Sequence, residues 1–91
     1  MTARYALELV GHACSILTRD GTPLLATDPW LVGTAYFDAW MLESYPRPDE
    51  IERVDAAPWI YVTHEHPDHL SWPSVEMLKG DPLWLMPPYL H

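Results

Sequence analysis

The chain has 91 residues, of which 48% are hydrophobic, and a formal net charge of −8. This length holds at most one domain, and the hydrophobic content predicts a folded core. The acidic balance argues against a nucleic-acid partner, because the five basic residues are scattered and cannot neutralise a row of phosphates. No stretch is long enough for a membrane span, and the N-terminal residues MTARYALELV lack a signal-peptide pattern. Cys14 is the single cysteine, which excludes an intrachain disulfide and a cysteine-based zinc site, so we predict a cytoplasmic protein.

The N-terminal part of the chain predicts an antiparallel meander of three strands. Residues 5–10, 13–18 and 22–27 read YALELV, ACSILT and TPLLAT, which are rich in β-favouring residues. The second and third of these strands are joined at Arg19-Asp20-Gly21. A tight turn is expected there because Gly21 adopts positive φ at little cost.

The following segment, residues 28–50, is long, aromatic and irregular. A loop of this length in a small chain is usually functional or covers another part of the fold. We expect a short helix at 35–43, ended by Pro46 and Pro48. The aromatic side chains of the segment either line a cleft or pack in the core.

The remainder predicts strand, helix and strand. Residues 50–55 suit one helical turn, and the apolar run WIYVT at 59–63 suits a strand buried on both faces. Ser71 is a candidate N-cap for a helix that reaches Lys79 and is closed by Gly80. The last strand is expected at 83–86, LWLM, before Pro87 and Pro88. The fold class is therefore α/β, in α+β layers, with antiparallel strands followed by strand–helix–strand.

The stretch YVTHEHPDHLSW, residues 61–72, concentrates groups that bind metals: His64, His66, Asp68 and His69. Pro67 excludes a helix interior. In an extended loop alternate side chains point the same way, so His64, His66 and Asp68 converge and His69 is directed to the other side. Imidazole and carboxylate groups suit Zn²⁺ and related ions, and four of them indicate halves of two adjacent sites about 4 Å apart. The alternative is a solvated loop that is rich in histidine.

The segment THEHPDHL, residues 63–70, resembles the HxHxDH signature of the metallo-β-lactamase-fold hydrolases. Upstream, GHACSIL at 11–17 and LLATDPWL at 24–31 are similar to the branch of L-ascorbate-6-phosphate lactonase and N-acylphosphatidylethanolamine-hydrolysing phospholipase D. The resemblance implies the N-terminal half of an αββα sandwich. It also implies a metal-dependent hydrolase, in which a metal-activated water attacks an ester, lactone, amide or phosphodiester of a small-molecule substrate. The complete site would hold two divalent ions, zinc first, with manganese or iron as alternatives.

The resemblance also implies roles for individual residues. His64 and His66 would bind one metal and Asp68 and His69 the other, and Asp68 would also orient the water or relay its proton. Two residues, Asp28 and His12, would brace the site from outside the ligand set. The alternative role of Asp28 is that of a turn residue before Pro29. The alternative role of His12 is that of a hydrogen-bonded histidine at a strand bend. Four aromatic residues are candidates for substrate binding or for core packing: Trp30, Tyr36, Phe37 and Trp40. Apolar or ring-bearing groups are favoured as ligands, because the aromatic segment has no basic residue before Arg47.

In the resembling family the second half of the domain supplies a further histidine, a bridging aspartate and a last histidine, none of which is identified here. Terminal His91 suits a frayed end better than a ligand. We therefore expect residues 1–91 to form one partial domain that lacks its second half and is inactive alone. A missing C-terminal half, or self-association, would complete it and cover the apolar faces of 59–63 and 83–86. The alternative is a non-catalytic metal-binding or interaction fragment that needs a partner chain.

Overall fold

The computed structural model describes residues 2–88, so His91 lies outside the described part of the chain. Within residues 2–88, five strands form a single sheet in the order of the chain, β1-β2-β3-β4-β5, and two helices accompany it. The elements are β1 (Tyr5–Gly11), β2 (Cys14–Arg19), β3 (Thr22–Thr27), α1 (Pro48–Asp55), β4 (Trp59–Tyr61), α2 (Trp72–Met77) and β5 (Leu83–Leu85). The predicted α/β class, with antiparallel strands followed by strand–helix–strand, is confirmed.

Strands β1, β2 and β3 pair antiparallel, whereas β4 and β5 are added in parallel. The turn between β2 and β3 has positive φ at Asp20 (51°) and at Gly21 (83°), as a two-residue hairpin turn of the I′ kind requires. Between β1 and β2 the register shifts near Gly11, and His12 adopts a φ of 51°. This bend lies at the same end of the sheet as the C-terminal ends of β3 and β4.

One face of the sheet carries the core. Ile16, Ala26 and Ile60 are partners in register on β2, β3 and β4, and all three are buried. Val54 of α1 belongs to the same cluster and Met77 of α2 packs against it, so both helices lie on this face. Each strand therefore has one covered face, because the side chains of a strand alternate between its two faces.

The opposite face is apolar and uncovered within the described residues. A row in register crosses all five strands and contains Leu7, Leu17, Leu25, Trp59 and Leu83. Leu7 is 62% exposed, Trp59 41% and Leu83 59%. We call this row, with Tyr5, Leu9, Tyr61 and Leu85 beside it, the apolar sheet face. The prediction that 59–63 is buried on both faces is wrong for this chain, since only Ile60 and Val62 are buried.

The helix expected at 35–43 is absent. Tyr36, Phe37 and Asp38 have φ values of 53°, 54° and 67°, which a right-handed helix excludes. Ala35 and Trp40 pair as an isolated antiparallel bridge and exchange backbone hydrogen bonds of 3.0 and 3.1 Å. The segment 35–40 is therefore a tight left-handed loop, which we call the aromatic loop.

Helix α2 is shorter than expected, and Gly80 has another role. The helix begins at the predicted N-cap Ser71 but ends at Met77, and Leu78 is extended with a ψ of 130°. Gly80 instead lies against α1, where its amide donates to Oδ1 of Asp55 (2.6 Å). A Cβ at this position would lie 2.5 Å from the carbonyl oxygen of Asp55, so glycine is required by close approach and does not close the helix.

Candidate metal site

The metal loop, residues 63–70, leaves the carboxyl end of β4 beside the end of β3. The amide of Asp28, directly after β3, donates to the carbonyl of Tyr61 (2.9 Å), which keeps the two strand ends together. Further along, the carbonyl of His66 accepts from the amides of His69 and Leu70, both at 2.8 Å. The metal loop therefore turns back on itself just after Pro67.

This turn brings the imidazole rings into one cluster. The ring centroids of His64 and His66 are 4.7 Å apart, and those of His64 and His69 are 3.9 Å apart. The expectation that His69 is directed away from the others is therefore wrong. Strict alternation of side chains holds only for an extended chain, and the turn at His66 ends it.

His12 reaches the same cluster from the β1–β2 bend. Its Nε2 lies 2.8 Å from Oδ2 of Asp68, and Nε2 of His69 lies 3.3 Å from the same oxygen. His12, Asp68 and His69 each offer one ligand atom within 4.8 Å of the other two. The donors are nitrogen and carboxylate oxygen, a set that suits zinc and neighbouring divalent ions. His12 was expected to brace the site from outside, yet its nitrogen lies among the possible ligand atoms.

Asp68 is buried and is contacted on both oxygens. The hydroxyl of Tyr36 donates to Oδ1 at 2.8 Å, while Oδ2 faces His12 and His69. Burial opposes the negative charge, but the hydrogen bonds from His12 and Tyr36 outweigh it and hold the pKa of Asp68 below its usual range. The same bond raises the pKa of Tyr36, because the phenol proton is held by the carboxylate. Asp68 is therefore ready to act as an anion.

Asp28 braces the metal loop from β3. Its Oδ1 accepts from the amide of Thr63 (2.7 Å), and its Oδ2 lies 2.9 Å from the Thr63 hydroxyl and 3.0 Å from Nδ1 of His69. The Thr63 hydroxyl also lies 2.9 Å from Nδ1 of His64. A histidine whose Nδ1–H is held in this way presents Nε2 as its ligand atom. The contacts are those expected of a brace, and they exceed what a turn residue before Pro29 needs.

Ser74 fixes the segment after Asp28 to helix α2. Its hydroxyl oxygen is buried and accepts from the amides of Leu31 (2.7 Å) and Val32 (3.2 Å) and from the hydroxyl of Ser71 (2.9 Å). The segment after Asp28 is thus tied to the helix that follows the metal loop. No local pattern in the sequence marks the role of Ser74 as an anchor, because Leu31 and Val32 lie 43 and 42 positions away along the chain.

The four aromatic candidates for substrate binding are not equivalent. Trp30 is buried, lies edge-on to His12 with 5.3 Å between ring centroids, and donates from Nε1 to the carbonyl of Gly33. Phe37 is fully exposed and Trp40 is half exposed at the rim. Tyr36 lies between Trp40 and His66, with centroid distances of 4.8 and 6.4 Å. Trp30 therefore supports His12 from behind, and a substrate role for the other three stays a prediction.

Comparison with known proteins finds relatives named cytidine monophosphate-N-acetylneuraminic acid hydroxylase. The chain is 42% identical over 68 residues to the cytidine monophosphate-N-acetylneuraminic acid hydroxylase of Asterias rubens, which covers 75% of this chain and 10% of that protein. It is 42% identical over 69 residues to the inactive cytidine monophosphate-N-acetylneuraminic acid hydroxylase of Homo sapiens (76% of this chain and 14% of that protein). It is also 42% identical over 67 residues to the cytidine monophosphate-N-acetylneuraminic acid hydroxylase of Sus scrofa (74% and 15%). The relatives carry the names of enzymes, and the chain spans only about a tenth to a seventh of their length.

No protein-family model matches the chain, and no solved structure matches it. Among residues 2–88 no helix is long and apolar enough to cross a membrane.

Proposed function

We propose that this chain is the metal-binding N-terminal half of a metal-dependent hydrolase domain of the metallo-β-lactamase kind. The observation that carries the proposal is the convergence of His12, Asp68 and His69 from two distant segments of the chain, with their ligand atoms within 4.8 Å of one another. The ring of His64 lies next to that of His69, and the ring of His66 lies next to that of His64. A solvated histidine-rich loop would not bury its aspartate or hold an imidazole nitrogen, Nδ1 of His69, on a second carboxylate, that of Asp28. The HxHxDH resemblance points to the same chemistry.

Zinc, or manganese or iron in its place, would supply Lewis acidity and a water of lowered pKa when bound. The chain's own residues supply its ligands and their orientation. His64 and His66 would form one ligand pair and Asp68 and His69 the other, and His12 offers a further ligand atom beside the second pair. Asp28 holds Nδ1 of His69 and so directs Nε2 inward. Asp68, kept ionised, accepts a proton from water or orients it.

The apolar sheet face supports the proposal that a further segment completes the domain. Five strands present an unbroken apolar row, and uncovered patches of this extent mark an interaction surface. A C-terminal half of the same domain, or a second copy of this chain, would cover the face and supply the missing ligands. The chain alone is then a weak metal binder and inactive. A cytoplasmic location stays a prediction from the single cysteine.

Metal binding tests this proposal directly. The purified chain is titrated with Zn²⁺, Mn²⁺ and Fe²⁺ by calorimetry, its bound metal is counted by mass spectrometry, and its oligomeric state is measured by light scattering. We expect zinc to bind and His66→Ala to weaken binding more than about tenfold. Glu65→Ala, an exposed neighbour outside the ligand set, is the matched control and is expected to bind as the wild type does.

A wild-type chain without metal affinity, or a His66→Ala variant with full affinity, would contradict the proposal. If metal binds and the assembled protein hydrolyses neither a phosphodiester such as bis-p-nitrophenyl phosphate nor a lactone, the non-catalytic alternative is favoured. Hydrolysis that is lost in His66→Ala would favour the enzyme.

The 42% identity to hydroxylases favours a second candidate, in which the chain is part of a protein that acts on cytidine monophosphate-N-acetylneuraminic acid. In this second candidate function the same metal loop would serve a different reaction. It is tested by NMR titration of the chain with that compound. Cytidine monophosphate alone and N-acetylneuraminic acid alone are the controls. Shifts at the metal and aromatic loops with the whole compound only would favour this candidate, and no shifts would oppose it.

A further inference from the structure

The aromatic loop has a backbone that local sequence preference does not explain. Three consecutive residues with side chains, Tyr36, Phe37 and Asp38, adopt positive φ. This conformation is strained in residues other than glycine, so contacts elsewhere must hold the loop in this form. Phe37 is fully exposed and offers no such contact. Tyr36 does, because its hydroxyl donates to Oδ1 of Asp68 across 32 residues.

Asp68 meets different groups on its two oxygens. Tyr36 lies at Oδ1, and His12 and His69 lie at Oδ2. A carboxylate without a partner on one oxygen exchanges its oxygens by rotation about χ2, which is a soft torsion. With Tyr36 in place, that rotation costs a charge-assisted hydrogen bond. The carboxylate is thus held with one chosen oxygen toward the histidines.

We propose that Tyr36 is a positioning residue, which fixes the Asp68 carboxylate for metal binding and thereby couples the aromatic loop to the metal loop. The inference rests on the proposed metal site and assigns Tyr36 a role other than contact with substrate. Because coupling is reciprocal, a metal held by Asp68 also stabilises the left-handed form of the aromatic loop. Trp40, whose ring lies 4.8 Å from that of Tyr36, would move with it.

The test compares two tyrosines of the same segment. Tyr36→Phe removes only the hydroxyl on Asp68, whereas Tyr45→Phe removes a hydroxyl that donates 2.8 Å to the carbonyl of Gly33. We expect Tyr36→Phe to weaken zinc affinity by about 10- to 100-fold, as loss of a partner behind a ligand does. We expect Tyr45→Phe to change it less than about twofold. The visible absorption spectrum of the Co²⁺-loaded chain reports ligand geometry and is expected to shift in Tyr36→Phe only.

A second measurement needs no metal. Hydrogen exchange of the amides of residues 35–40 is followed in the metal-free chain for Tyr36→Phe, Asp68→Asn and the double variant. If the bond couples the loops, each single variant speeds exchange by several-fold and the double variant is no faster than either. Additive effects would overturn the proposal. If Tyr36→Phe unfolds the chain, Asp68→Asn with Tyr36 intact tests the same bond through exchange in the aromatic loop.

The two measurements separate the proposals. A chain that binds no zinc but shows non-additive exchange would contradict the proposed metal function and support the positioning of Asp68 by Tyr36. A chain that binds zinc equally well in Tyr36→Phe and Tyr45→Phe would support the metal site and overturn the role of Tyr36.

Discussion

Asp28 and His69 are 41 positions apart in the chain, and their side chains form one contact of 3.0 Å between Oδ2 and Nδ1. The same carboxylate holds the amide of Thr63 at 2.7 Å. One buried side chain at the end of β3 therefore sets both the start of the metal loop and the orientation of an imidazole near its end.

Asp28→Asn is expected to weaken zinc affinity by about 10- to 100-fold. The asparagine oxygen can still accept from the Thr63 amide, but the NH₂ group then faces Nδ1 of His69. Nδ1 must therefore accept a hydrogen bond, which places the ring proton on Nε2. His69 then no longer offers Nε2 as a metal ligand. Calorimetric zinc titration measures the change. Asp81→Asn, an exposed aspartate outside the site, is the control, and equal affinities for the two variants would contradict the assignment.

Acid should destabilise the metal-free chain through Asp68. Its pKa is lowered in the folded chain, so its contribution to stability is fully present above its unfolded pKa of about 3.9. That contribution is lost as the pH falls through the lower folded pKa. The measurement runs from pH 5 to pH 3, a range below the usual pKa of histidine. Over this range the urea midpoint of the wild type should fall more steeply than that of Asp68→Asn. Parallel curves would show that the two hydrogen bonds do not favour the anion.

The apolar sheet face should govern association. Leu7 and Leu83 lie on the two edge strands and are 62% and 59% exposed. Replacing both with glutamine is expected to reduce self-association and binding of a hydrophobic dye, with little loss of folded stability, because neither side chain is in the core. Sedimentation and dye fluorescence measure both effects. Met41→Gln, at 71% exposed and outside the sheet, is the control and should leave association unchanged.

Cys14 should be unreactive in the folded chain. Burial raises the pKa of its thiol to about 12, with added repulsion from Asp28 and Glu50. At pH 8 the thiolate fraction is then roughly a thousandfold below that of a free cysteine, so a disulfide reagent should react only as the chain opens. Reaction with Ellman's reagent in buffer and in 6 M guanidinium measures this. Fast reaction in buffer would contradict the burial of Cys14.

The strands and the histidine motif could be read from the sequence because their signals are local. The β-meander follows from β-favouring residues interrupted by Gly21, and the start of α2 from the N-cap Ser71. The missing helix at 35–43 shows where local signals end. Tyr36 and Phe37 have no sequence preference for positive φ, and one contact that holds the loop, from Tyr36 to Asp68, spans 32 positions.

The remaining differences have the same cause. Gly80 resembled a helix end, but it is set by the approach of Asp55, 25 positions earlier. Alternation of side chains predicts that His69 diverges, but the turn at His66 ends that alternation. The contacts of Ser74 with Leu31 and Val32 have no local signal. Composition and spacing therefore identified the groups that can bind metal, whereas distant contacts decide how those groups are oriented.

The order of the strands has a consequence for folding. Strands β1 to β3 pair with their sequence neighbours through short turns, so they can form early at small entropic cost. The contact of His12 with Asp68 joins residues 56 positions apart in the chain, and it requires β4 to pair in parallel with β3. The site is thus expected to form after the meander. The site has its full geometry only in the folded chain. An ion bound there would therefore slow unfolding and would not accelerate folding.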